Sequence, residues 1–426
     1  MIFSAHATES EPRPTAGSAV AVRPPAQETR GRFTRTRIVL LYAQDNRGLG
    51  HINRTLAIAR HILAAHPTWV AYVATKSPIA GGFTLPERCD YIKLPRSLVP
   101  RTEDEVEGVS RFRALRSRIL QETVQALAPD LVVVDNEPLG SSGEFREGLS
   151  LLKAQHPTTR FVFGMRDIAD DPGRIRALWH EMGVYDAFER LYDGIAVYGL
   201  RELYDVAEAY AIPQSVRPKL HYCGYIVRDL PITDAGLLRQ QYKLPQNGRL
   251  VLATVGSGSD GYPVLAAARA AVARLQETFT DLSVILVTGP FMPANERAML
   301  EAEATANCRV LPEADTFRLM TAVDAVVSMG GYNSVCEALA AARPLVIVPR
   351  ATEKVEQRIR ADALGARGLA RWVHPRELSG DRLAEALEWA LRCDRLAHAR
   401  RVHEVIPSFD GAAQLTAYLS RWLEGD

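Results

Sequence analysis

Two hydrophobic periods alternate along this chain. Short unbroken apolar runs, the pattern of strands buried on both faces, are followed by stretches in which apolar residues return every three or four positions, the pattern of helices with one buried face. Strands are predicted at 37–43, 69–75, 91–94, 131–134, 160–165 and 194–198, then at 250–255, 284–288, 309–311, 324–328 and 345–349. Helices are predicted from His51, with Ile52, Leu56, Ala59 and Leu63 inward, and over 106–127, 262–278, 332–342, 354–365 and 411–422. Such alternation predicts an α/β fold in which each strand crosses to the next through a helix. At 426 residues the chain exceeds what one core usually holds, so two domains are expected, at 37–223 and 224–405. The hinge falls in the stretch that carries Pro213, Pro218 and Pro231, and a last segment, 406–426, can cross back to the first domain. Residues 1–36, with Pro12, Pro14, Pro24 and Pro25 among polar neighbours and no apolar core of signal-peptide length, read as a disordered tail.

The candidate chemistry gathers where strands end. Between strand 324–328 and the helix beginning at Tyr332 stand Gly330 and Gly331. A glycine turn there leaves the first helical N–H groups unpaired, and without a Cβ a phosphate can approach them. Similar turns also join strands to helices in proteins that bind no ligand. Asn333 and Ser334 lie in the first turn, where short polar side chains cap a helix or donate to a diphosphate. Glu337 shares the face of Ser334 and can accept hydrogen bonds from the two hydroxyls of a ribose. A second loop, Gly256, Ser257, Gly258, Ser259, Asp260 and Gly261, offers another nest of backbone N–H groups. It lacks the lysine and Ser/Thr of a nucleoside-triphosphatase loop.

In the first half, the turn DNRGLGH at 45–51 departs from the GxGxxG spacing of dinucleotide sites. His51 opens its helix over the carboxyl edge of the sheet, where open α/β sheets bind ligands. Asp135 ends a later strand on that edge, and a carboxylate there would fix an imidazole's tautomer and raise its basicity. The bland readings are a capping histidine and a turn aspartate. Glu137, Arg166 and Asp167 add polar groups to the same rim, and Asp167 and Glu137 stand next in line as bases.

Charge and composition narrow the partners. Lys+Arg 51 against Asp+Glu 50 leaves a net charge of +1, no field for gathering nucleic acid. The five cysteines (Cys89, Cys223, Cys308, Cys336, Cys393) form no CxxC pair, which fits reduced thiols in a cytoplasmic protein. No stretch approaches the ~20 apolar residues of a membrane span. The helix at 106–127 sets Arg111, Arg113, Arg116 and Arg118 beside Val109, Phe112, Leu115 and Ile119, either a solvated face or a peripheral contact with an anionic membrane.

The motifs GLGHINR at 48–54 and GGYNSVCEALAAARPLVIVP at 330–349 resemble those of inverting glycosyltransferases of the GT-B fold. The likeness is greatest to the family of the N-acetylglucosaminyltransferase that completes lipid II, which carries the glycosyltransferase family 28 C-terminal domain, and to related predicted bacterial glycosyltransferases. The resemblance implies two Rossmann-like domains facing each other across a cleft, the first for the acceptor and the second for a nucleotide-sugar donor, UDP-linked in that family. It implies that Gly330, Gly331 and Ser334 take the donor diphosphate, Glu337 the ribose, and 256–259 a further part of the donor. A hinge motif appears as Gly224, Tyr225, Ile226, Val227 and Arg228; two of its positions depart from the family, and Arg228 would face the leaving diphosphate. The family's glutamine pair for the donor sugar stands here as Glu356 and Gln357.

Retaining members of the fold set a second glutamate where this chain has Met329, so inversion is implied, with His51 as base and Asp135 behind it. Metal is not expected, because the helix dipole and Arg228 take the cation's place, and no cofactor is expected besides the nucleotide sugar. The acceptor loops, 76–110 and 136–145, match no motif, and nothing in the chain states an oligomeric state. GHxxR also resembles nucleotide-sugar hydrolases of the same fold, and a non-catalytic sugar-nucleotide-binding partner subunit is the third reading.

Overall fold

The computed structural model describes residues 36–43, 50–77, 84–96, 105–231, 234–350 and 355–423, with backbone alone for 105–110. The expected tail, up to Arg35, lies outside the described residues, as does loop 44–49 ahead of His51. Both sheets belong to one compact unit that begins at Thr36.

The first sheet has seven strands: β1 (Ile38–Ala43), β2 (Val70–Thr75), β3 (Cys89–Lys93), β4 (Leu131–Asp135), β5 (Arg160–Arg166), β6 (Gly194–Tyr198) and β7 (Leu220–Tyr222). The second has six: β8 (Leu250–Thr254), β9 (Ser283–Val287), β10 (Cys308–Leu311), β11 (Ala325–Ser328), β12 (Leu345–Ile347) and β13 (Ala370–Trp372). All pairs are parallel, in the orders β3-β2-β1-β4-β5-β6-β7 and β10-β9-β8-β11-β12-β13. Runs such as LVVVD in β4 and LVLAT in β8 are buried at every position, as strands covered by helices on both faces must be. In each sheet the order reverses once, between β1 and β4 and between β8 and β11, and α/β sheets bind ligands beyond the strand ends at such a point. His51 follows β1 and Asp135 ends β4; the Gly256 loop follows β8 and Gly330 follows β11.

One apolar core runs unbroken across the two halves, from Ile52 and Leu56 through Tyr225 and Ile226 to Tyr332 and Val335. The helix Gly411–Leu423 returns to the first sheet, where His66 Nε2 lies 2.8 Å from Ser420 Oγ and His221 stacks on Tyr418 at 4.2 Å between ring centroids.

Two expectations change. The helix Glu105–Leu127 turns Arg116, Leu120 and Val124 inward and leaves Leu115 45% exposed, because Glu144, fully buried, takes a 2.5 Å bond from Arg116 Nε. One of the four arginines counted toward a membrane face is therefore a core counter-ion, and a buried carboxylate requires one. The helix expected to reach 342 stops at Ala340, since Ala342 turns into the left-handed region at φ 51°. No helix among the described residues is long and apolar enough to cross a membrane.

Candidate functional site

His51 is the second residue of the helix Gly50–Ala65, and its ring is set by β4. Nδ1 lies 2.5 Å from Asp135 Oδ2. Two acceptors cannot approach so closely, so a proton stands between them and Nε2 carries the lone pair of the neutral ring. Arg54, one turn on, donates to Asp135 from Nε at 3.1 Å and from Nη2 at 2.8 Å to both oxygens, and that Nη2 is 2.9 Å from His51 Nδ1. Burial lowers the histidine's pKa, and Arg54 and Arg166 add to this against the pull of Asp135. Burial alone would raise the Asp135 carboxyl, but Arg54 and His51 hold it below the usual range. The result at neutral pH is an uncharged imidazole beside a carboxylate, the arrangement of a general base.

The second half supplies an uncapped helix start. Gly331 is the N-cap of the helix Tyr332–Ala340, with no side-chain cap, and a Cβ built on it meets nothing within 4 Å. Gly330 turns the chain at φ 81°, and a Cβ there would lie 2.9 Å from Ile347 and 3.3 Å from Gln357 Cβ. Half-buried Ser334 and Glu337 follow along the helix. Burial raises Glu337 to about 6, against the pull of Arg228, whose Nε donates to Oε1 at 3.1 Å. Arg228 also clamps Asp315 and lies 5.2 Å above the ring of Phe317. Glu337 stands six residues beyond Gly331, ~9 Å along the axis, and the two carboxylates hold Arg228 at that end.

Other donor-side residues divide by burial. Gly256, at φ 64°, is exposed with open space at its Cβ, followed by half-buried Ser257 and exposed Ser259. Gly258 is packed: at φ 93° its Cβ would stand 2.0 Å from the Thr288 carbonyl. Gly258→Ala should therefore cost roughly 2–4 kcal/mol of stability, from left-handed strain plus overpacking, whereas Gly256→Ala should cost less than half of that; denaturant unfolding of both variants compares them. Asp260 closes the loop on an ion pair with Arg350. Glu356 is 3.5 Å from Arg166 across the two halves. Gln357 is buried, with Oε1 accepting from the Arg350 N–H at 2.9 Å, so its amide carbonyl is already used within the fold.

The starts of the two helices meet. Asn333 Nδ2 donates to the Gly50 carbonyl at 3.3 Å. Asp167, the reserve base, is buried and engaged, accepting from Tyr225 Oη at 2.8 Å and pairing with Arg360 at 3.6 Å. Arg360 donates to the Gly330 carbonyl at 2.8 Å. Sequence reasoning did not single out Arg54, Arg360 or Tyr332 as part of the site; arginines spaced along amphipathic helices carry no mark of burial. The one available signal for Arg54 was its place in GHxxR.

Residues 251–404 match the glycosyltransferase family 28 C-terminal domain. An uncharacterized glycosyltransferase of Methanopyrus kandleri is 26% identical over 215 residues, which make up 47% of this chain and 57% of that protein, so the match spans little more than half of the relative's length. Among solved structures, CalG4, the calicheamicin glycosyltransferase, aligns over 92% of this chain and 99% of its own, with TM-score 0.64 and 18% identity. UGT2 of Phytolacca americana, complexed with UDP-2-fluoro-glucose and pterostilbene, aligns over 91% of this chain and all of its own, with TM-score 0.64 and 13% identity. The fold is that of the GT-B glycosyltransferases. Its second half carries the family 28 signature.

Proposed function

We propose that this protein moves a sugar from a nucleotide diphosphate sugar, UDP-linked as in the UGT2 complex, to a hydroxyl of an unidentified small-molecule or lipid-linked acceptor, with inversion. The observation that carries this reading is the meeting of two helix starts through the Asn333–Gly50 contact: one begins with a histidine bonded to a carboxylate, the other with an open glycine N-cap.

Attack on the anomeric carbon from the face opposite the diphosphate inverts it, and an alcohol attacks poorly until its proton is accepted. His51 Nε2 takes that proton, and Asp135 orients the ring and stabilises the imidazolium. The departing diphosphate gains negative charge against the N–H groups of the first turn after Gly331 and the positive end of the helix. Ser334 and the Gly256–Ser257 backbone extend the donor seat, Glu337 takes the ribose, and Glu356 meets the donor sugar. The cysteines, free of disulfides, favour the cytoplasm.

Measuring nucleotide-sugar consumption with and without an acceptor panel tests the reading. Acceptor-dependent turnover supports it, water-only turnover converts it to hydrolysis, and binding without turnover leaves a non-catalytic subunit. A donor held at about 100 times its dissociation constant should stabilise the fold by ~2.7 kcal/mol, which ranks candidate sugars by thermal shift. Because a helix terminus does the cation's work here, activity should persist in EDTA. Loss on chelation, restored by magnesium or manganese, would overturn this mechanism.

A further inference from the structure

We propose that Arg54 is a positioning residue that keeps the His51–Asp135 pair in register with the donor helix, by gripping Asp135 with its guanidinium while lying between the rings of Tyr198 and Tyr332. The inference rests on the proposed transfer reaction. Arg54 is 3% exposed, and a buried cation needs both a counter-charge and partners for its N–H groups. Asp135 supplies three hydrogen bonds at 2.8–3.1 Å. The two rings supply π faces, with centroids 5.2 Å (Tyr198) and 5.3 Å (Tyr332) from the guanidinium carbon.

The rings belong to different halves of the protein. Tyr198 ends β6, in a seat kept open by Gly164, whose Cβ would stand 1.7 Å from the tyrosine hydroxyl. Tyr332 is the first residue after the Gly331 N-cap, and its hydroxyl accepts from the Ile226 N–H of the hinge at 3.1 Å. One planar group thus touches the carboxylate that orients the base and the residue that opens the anion seat. A lysine has neither the fork nor the flat face to do both.

The charges that face His51 make this testable. Asp135 faces it from β4, Arg54 from its own helix, and Arg166 from the end of β5, itself faced by Glu356 at 3.5 Å. Asp135 favours the protonated ring; the two arginines and burial oppose it. Removing Arg54 leaves the pull of Asp135 less opposed, so the ring should hold its proton to higher pH.

The experiment compares wild type, Arg54→Lys, Arg54→Met and Tyr332→Leu by pH–rate profiles and by NMR titration of the His51 imidazole. In Arg54→Met the acid limb and the imidazole titration should both move up by about one pH unit or more. Its kcat near neutrality should fall about 10–100-fold, with donor KM nearly unchanged. Arg54→Lys should keep the limb near the wild-type position but lose kcat, because charge remains and the fork is gone. Tyr332→Leu should lose kcat likewise. An unmoved limb and unmoved imidazole titration in folded Arg54→Met would overturn the proposal, as would full activity in Arg54→Lys and Tyr332→Leu should Arg54→Met fail to fold. If wild type consumes no nucleotide sugar, the transfer reading fails, while the imidazole titration still decides the role of Arg54.

Discussion

His51→Ala should lower turnover by about 10²–10⁴-fold, the usual cost of removing a general base, while the affinity for the donor nucleotide barely changes. The split follows from position. The imidazole lies on the first sheet's edge beside Asp135, 2.5 Å away, whereas Gly331, Ser334 and Glu337, proposed here as the donor seat, belong to the other half. Burial and two arginines hold the ring's pKa below its ordinary 6.5, so the base is unprotonated at neutral pH and the wild-type rate should fall only on the acid side of that value. The Ala variant should lose that limb. Asp135→Asn should show a smaller defect in rate, since the amide can still accept from a ring N–H. It should also lose stability, because Arg54 would keep its buried charge without its counter-ion. Steady-state kinetics with calorimetry of donor binding separate the two effects. Normal turnover in His51→Ala, or a loss of UDP binding as large as the loss of rate, would make the histidine structural.

What could be read from the residues alone follows a physical line. Buried strands announce themselves because both faces must be apolar, so β4 and β8 stand out as LVVVD and LVLAT. Turn chemistry is local as well, and Gly330 with Gly331 marks a helix start whatever surrounds it. Strand ends place His51 and Asp135 on one edge before any coordinates exist. Long-range satisfaction of charge is another matter. Arg54 and Asp135 are 81 residues apart, and Arg116 and Glu144 are 28 apart; each arginine reads as a solvated helix residue until its partner is known. Arg228 is a case of the same kind: its two carboxylates lie 87 and 109 residues away, and they hold it beside Glu337. β13 escaped because three residues, one of them exposed, make no period.

Glu337→Ala should weaken binding of UDP and of the intact sugar nucleotide by about 1.5–3 kcal/mol, the range for hydrogen bonds to a charged group. Its carboxylate is half-buried about two turns up the helix that Gly331 caps, with Arg228 Nε at 3.1 Å on one oxygen, which leaves acceptor capacity for ribose hydroxyls. The variant also strands Arg228 with Asp315 alone, so Glu337→Gln, which keeps the shape, is the cleaner comparison. The pH dependence has a definite sign. In the unliganded fold this carboxyl sits at about 6 rather than 4.5, mainly through burial, so the fold takes up this proton more readily than the unfolded chain does. Glu337 alone then adds stability as pH falls through 6 toward 4.5, and its charge at neutral pH is a cost borne for the ligand. A sugar nucleotide, with its diphosphate esterified at both ends, has no proton of its own to gain near pH 6. Its affinity should therefore drop below pH 6, by up to about tenfold per unit, and Glu337→Gln should flatten that dependence. Equal UDP affinity in wild type and Glu337→Ala by calorimetry would remove this residue from the donor site.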